Sequence, residues 1–288
     1  MILRLKKLLA ASLVLPLIGC TGTVESPGAP DADSSELAAA ISLETTSYAD
    51  DATPSHSTAV ARFIRARSTI DLPTLKMLGA SIDLPPNGTC SAAPTPTGSA
   101  GHGVELVDVG AINIDAAGHD AFLAPRNLPD MDDLVWGVVY SARAYGTDAL
   151  LSGPISIRVA GSKDVGAFSI DVADLQAPAN VTFDGDALAP IIFRSNEDLH
   201  ASWTPTPAST DIIYFEIDNG TETLVCAYDD SGSADLPASV LRTSTQGSAP
   251  GNGTLTIHRL HREAVIAHGV DDGEARFDFA RVYDFVAP

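Results

Sequence analysis

Lysine is almost missing from this chain. Four occur in 288 residues, and two of those, Lys6 and Lys7, fall in the opening segment. Against 17 basic side chains stand 37 acidic ones, a formal charge of −20. A surface of that sign repels phosphate backbones and anionic headgroups, which excludes nucleic acid as a partner. The acids are dispersed rather than blocked, as on a solvated surface and not in an acidic tail. Long helical patterns are absent, and aromatic residues make up only 6 % of the chain. No apolar run is long enough to cross a bilayer as a helix. The longest, Leu8 to Ile18, is about a dozen residues. Motifs that announce a reaction are missing too. There is no Gly-x-Ser-x-Gly, no His-Glu-x-x-His, no phosphate loop and no dinucleotide fingerprint. Gly98 to Gly103 is glycine-rich but precedes a strand and lacks lysine. No catalytic residue is nominated, and no cofactor is expected.

What is present begins at the N-terminus. Arg4, Lys6 and Lys7 precede the apolar run Leu8 to Ile18, the layout of a signal peptide. The run ends in Leu17-Ile18-Gly19-Cys20, which resembles the lipobox of bacterial lipoproteins. That resemblance implies recognition of Leu17, Ile18 and Gly19 by the lipoprotein signal peptidase, and diacylation of the Cys20 thiol. The other reading is an ordinary secretory signal with a chance cysteine. On the lipoprotein reading residues 1–19 are removed, taking three basic side chains and no acid. The mature chain then carries 14 basic and 37 acidic groups, a formal charge of −23. Each buried methylene contributes about 0.8 kcal/mol, so two or more acyl chains anchor durably. The membrane, reached through this lipid, is the expected partner, and the cell envelope the expected location. Thr21 is not the aspartate that favours inner-membrane retention in enteric lipoproteins, so the outer membrane is expected, on its periplasmic or surface face.

With Cys20 acylated, Cys90 and Cys226 remain. In an oxidising compartment they most simply pair. The other reading leaves Cys226 buried on its strand and Cys90 free in a loop.

Residues 20–40 hold few large apolar side chains and are expected to form a flexible tether. A weak apolar cluster, Leu37 to Leu43, is compatible with a short helix or a first strand. Ala59 to Arg67 reads as a strand with three arginines, balancing nearby acids rather than building an anion site. Leu72 to Leu84 predicts one or two short strands before the turn Pro85-Pro86-Asn87-Gly88. Val104 to Asp115 predicts one long strand, bent or bulged at Gly110. Ala121 to Asp133 reads as irregular. Leu134 to Tyr140 is continuously apolar and predicts a strand deep in a sheet, with Trp136 in the core. Ile155–Ala160 and Ala167–Val172 form a hairpin. Gln176-Ala177-Pro178-Ala179 is the candidate boundary between a β domain at 41–176 and a second one at 177–288. Leu236 to Leu241 is compatible with one helical turn.

In the second half, Leu199, Ala201 and Trp203 alternate with polar residues, and Thr204-Pro205-Thr206-Pro207 ends that strand. Ile213, Phe215 and Ile217 mark one face of the next. The run Leu199-x-Ala201-Ser202-Trp203-Thr204-Pro205, then Ile213-x-Phe215-x-Ile217, is similar to the second and third strands of fibronectin type III and related Ig-like domains. It covers about 20 residues closely. The resemblance implies a sandwich whose tryptophan anchors the core, and no function by itself. The expected fold is therefore all-β, with two β-sandwich-like domains, the C-terminal one Ig/fibronectin III-like.

Ionisable clusters are weak. His258 and His261 differ by an odd number on one strand, point to opposite faces and cannot share a metal. Asp130, Asp132, Asp133, Asp229 and Asp230 are faint calcium candidates, none matching a calcium loop. Turn chemistry explains aspartate at such places without an ion. The reading that results is a lipid-anchored, non-enzymatic structural, adhesive or binding module, with a protein or glycan partner unspecified. The alternative is an envelope hydrolase or carbohydrate-active protein with a loop-built site, one that would unite Asp130–Asp133 with Asp229 and Asp230.

Overall fold

The last two strands carry the architecture. Residues 251–264 and 272–287 pair along their whole length as a long antiparallel hairpin. On one face of the final strand, Ala275, Phe277 and Phe279 enter one apolar core, while Tyr283 and Phe285 enter another. One strand with period-2 alternation thus serves two cores in series. The computed structural model describes residues 36–50, 52–66, 75–76, 78–93, 103–116, 119–129, 135–145, 152–186, 190–194, 196–206, 210–245 and 251–287. Leu17, Ile18, Gly19, Cys20, Asp130, Asp132 and Asp133 lie outside them.

In chain order the strands are β1 (Glu36–Tyr48), β2 (His56–Ala66), β3 (Thr89–Ala92), β4 (Val104–Leu106), β5 (Ile112–Ala116) and β6 (His119–Leu128). Next come β7 (Val135–Tyr145), β8 (Ser152–Val159), β9 (Phe168–Gln176), β10 (Ala179–Phe183), β11 (Ile191–Ile192) and β12 (Leu199–Thr204). The remainder are β13 (Ile212–Asp218), β14 (Thr223–Asp229), β15 (Ser233–Leu236), the helix α1 (Ala238–Thr245), β16 (Gly251–Ala264) and β17 (Asp272–Ala287). The fold is all-β and sandwich-like, as the sequence predicts. One sheet runs β3-β14-β13-β16-β17-β1-β2-β4-β7-β6-β5-β8-β9, and a three-stranded sheet runs β10-β12-β15.

β1 shows tertiary pairing overriding local propensity. Its Ala38-Ala39-Ala40 has no strand preference, yet the strand is clamped on both sides, antiparallel to β2 and parallel to β17. It begins at Glu36, inside the segment expected to be tether. Leu37, Ala39, Ile41 and Leu43 fill the first core.

Three further segments differ from the expectation. Val104–Asp115 is two strands, because the chain leaves one layer and joins another across residues 107–111. Gly110 there has φ +77°, and a Cβ on it would meet the Gly161 carbonyl oxygen at 2.6 Å. The Tyr140 hydroxyl clamps this crossover, accepting from Val109 N at 2.9 Å and donating to Asp108. Burial first, then Asp108, push its phenol up to about 12. The segment expected to be irregular is β6. Its first half pairs β5 and its second half pairs β7, so Pro125 needs a partner on one side only. The described part of 72–84 forms no strand. Residues 78–84 lie across the outer face of the sheet, where Arg276 donates to the Gly79 carbonyl oxygen at 2.6 Å. β7, expected deep in a sheet, is half-buried from Val135 to Val139, Trp136 included, and only Tyr140 is fully enclosed.

β8 and β9 form the expected hairpin. The helical turn near Leu236–Leu241 is the start of α1. In the second core, Trp203 packs edge-on against Phe215 at 5.9 Å between the β10-β12-β15 layer and the sheet opposite. Cys90 of β3 stands directly across from Cys226 of β14, and the two are joined, S–S 2.08 Å. The bridge closes a separation of 136 residues.

Candidate functional site

Between the two cores the sheet has a polar waist. The inward positions of β16 run Leu255 and Ile257 in the second core, then Arg259, and end near Val265 in the first. On β17 they run Phe277, Phe279, then Arg281, then Tyr283 and Phe285. Two arginines therefore interrupt two apolar stripes in a diagonal arrangement, Arg259 opposite Phe279 and Arg281 opposite Ile257.

Arg259 is hydrogen-bonded through both terminal nitrogens, while its Nε is in ion-pair distance of a carboxylate without a hydrogen bond. Its side chain is 2 % exposed, as is that of Asp230, and its Nε lies 3.1 Å from Asp230 Oδ2. Its Nη2 donates to Asp230 Oδ1 at 3.2 Å and to the Thr204 carbonyl oxygen at 2.7 Å. Its Nη1 reaches the carbonyl oxygens of Gln176 and Ala177, both at 3.2 Å. Asp230 in turn accepts from Trp203 Nε1 at 2.6 Å and Thr206 N at 3.0 Å. One ion pair thus ties three things together: the chain passing from β9 to β10, the proline-bearing corner after β12, and the core tryptophan. A buried pair needs many such contacts, because each charge left water at a cost of several kcal/mol.

Arg281 is not engaged in this way. It lies over the Tyr283 ring at 5.7 Å. Among the described residues no carboxylate is within ion-pair distance, and its Nε is buried without a hydrogen-bond partner. It opens onto a cleft of about 700 Å³, lined also by Ser47, Tyr48, Asp174, Gln176 and Asn180. Pockets of this size accept small molecules. Asp174 and Asn180 are two of three described non-glycine residues with positive φ, 59° and 53°. They flank the passage from β9 to β10, so the rim is held in an uncommon backbone conformation.

The calcium candidates are placed otherwise. Asp230 belongs to the arginine clasp, and Asp229 accepts from Asn87 Nδ2 at 2.5 Å on the exposed turn. No group of three metal-ligating side chains occurs among the described residues. The histidines divide as their parity requires. On the outer face, His258 Nδ1 is 3.1 Å from Asp278 and its ring stacks on Tyr214 at 4.1 Å. Tyr214 donates its hydroxyl to Asp278. Burial, then Asp278, hold that phenol well above its usual value, so it remains a neutral donor and supplies no phenolate. On the inner face, His261 Nδ1 is 2.7 Å from Asp211 and Nε2 is 3.0 Å from Glu263.

The hydrogen bond to Asp211 is the main cause raising His261 above the ordinary imidazole value. Burial opposes it and Glu263 assists. A raised folded value means that the imidazolium bridge stabilises fully below the unfolded value of about 6.5. That stability is lost as pH climbs through the folded value. His261→Gln is therefore expected to cost about 1.5 kcal/mol at pH 6, the low end for a charge-assisted hydrogen bond. The gap between variant and parent should narrow steadily toward pH 9 in thermal melts. A gap independent of pH would remove the bridge from the account.

Sequence reasoning passes over Arg259 and Arg281, although both leave a signal. Each falls in register with large apolar side chains, a cation on the buried face of an alternating strand. No protein-family model matches the chain, and no curated protein is significantly similar to it.

Proposed function

We propose that this protein is a lipid-anchored, non-enzymatic binding or adhesive module of the cell envelope, most consistent with the outer membrane. The disulfide carries the reading. It takes up both cysteines other than Cys20, the one at the lipobox, and such bridges persist outside the reducing cytosol. The layering supports an Ig/fibronectin III-like C-terminal part. The sheet β10-β12-β15 faces β14-β13-β16-β17, with Trp203 on the second strand of the smaller layer. The chemistry of the waist is that of a binding surface. Its buried carboxylate, Asp230, is neutralised by Arg259, and its tyrosines and amides are donors and acceptors rather than nucleophiles.

Metabolic labelling with palmitate tests the anchor. Label is expected on the parent chain and absent from Cys20→Ala, which should move from the membrane to the soluble fraction. A parent chain without label would reject the lipoprotein reading.

A further inference from the structure

We propose that the cleft at the waist binds an acidic sugar, its carboxylate on Arg281 and its hydroxyls on the acceptors around it. This names a ligand class for the binding module proposed above and does not depend on the anchor. The two waist arginines make the contrast. Arg259 meets Asp230 and three backbone carbonyl oxygens, whereas among the described residues Arg281 meets an aromatic face and lines the cleft. Among the described residues Arg281 and Arg62 are the half-buried arginines with no carboxylate in ion-pair distance, and Arg281 is the one that opens onto the waist cleft, where an anion could meet it.

The groups beside it decide which anion. Ser47 lies in register with Arg281 and donates its hydroxyl to the Ala280 carbonyl oxygen at 3.1 Å, so its lone pairs face outward as an acceptor. Asn180 gives its amide nitrogen to Thr204 Oγ1 at 2.9 Å, which leaves its carbonyl oxygen to accept. Asp174, at the rim, is an acceptor when ionised. A sulfate brings only acceptors and a second charge, and inorganic phosphate too few hydroxyl donors to serve all three groups, so both meet them less favourably. A uronate brings one carboxylate for the guanidinium fork and several hydroxyl donors for the acceptors. The volume of about 700 Å³ suits one or two sugar rings.

The test is calorimetric titration of the full-length, detergent-solubilised protein with digalacturonate, with cellobiose as its neutral counterpart, and with inorganic phosphate. Saturable binding of digalacturonate is expected, with cellobiose and phosphate each at least about tenfold weaker. Arg281→Gln should weaken digalacturonate at least about tenfold while leaving the melting temperature close to that of the parent. Asn180→Gly keeps the positive φ and removes only the side-chain acceptor, and should weaken binding about three- to fivefold. Absence of digalacturonate binding at millimolar concentration overturns the proposal. So does equal affinity for phosphate, or a folded Arg281→Gln that binds like the parent. None of these outcomes bears on palmitate labelling, so the two readings fail separately.

Discussion

Replacing Asp230 with alanine is expected to lower folding stability by about 3–5 kcal/mol, the usual penalty for stranding one member of a buried ion pair. The loss has named parts. Arg259 would keep its carbonyl partners but no counter-charge, in a site where its side chain is 2 % exposed. Trp203 Nε1 and Thr206 N would lose their acceptor. Arg259→Met should cost less, about 2–3 kcal/mol, because a lone Asp230 retains two donors and can take up a proton. The double variant Asp230→Leu/Arg259→Met should be milder than the two single losses summed, since no buried charge remains. Urea unfolding of the four proteins gives the comparison. A cost under about 1 kcal/mol for Asp230→Ala would mean that the clasp holds nothing in place.

Loss of the Cys90–Cys226 bridge is expected to be of similar size. In the chain-entropy model, closing a loop across 136 residues contributes about 5 kcal/mol, and measured losses in small exported proteins run about 2–5 kcal/mol. The paired variant Cys90→Ala/Cys226→Ala should therefore unfold at markedly lower denaturant. The local effect should be larger still at β3, a four-residue strand that, among the described residues, pairs with β14 alone. Hydrogen exchange at Thr89 to Ala92 should rise before the rest of the sheet loosens. Unchanged protection there would show that backbone pairing alone secures the edge.

How far the residues announced all this differs from segment to segment. Strands whose alternation matches their burial were readable, as with β12 and the β8–β9 hairpin, because one face meets the core and the other meets water. β6 was not, since from Asp120 to Leu128 Leu123 alone is fully buried, and the strand is held by backbone pairing that leaves no apolar pattern. β1 was ambiguous because its identity comes from β17, more than 200 positions away in the chain. The arginine clasp was hidden in the same manner. Asp229-Asp230-Ser231-Gly232 has the composition of any exposed turn, and nothing local says that the second aspartate turns inward to meet Arg259. The cleft was hidden because its wall comes from the ends of β1 and β9, the start of β10 and the middle of β17, which adjoin only after folding. Residues Leu134 to Tyr140 misled in the opposite sense, as apolar composition does not reveal how many faces of a strand are covered.

The seat of β1 also dictates an order of events. During synthesis β1 emerges long before β17, the neighbour to which it is joined in parallel over Ala38 to Tyr48. Until β17 has been made, one side of β1 has no template. The first core takes Ala275, Phe277 and Phe279 from that later strand, so it closes only after residues more than 200 positions downstream have appeared.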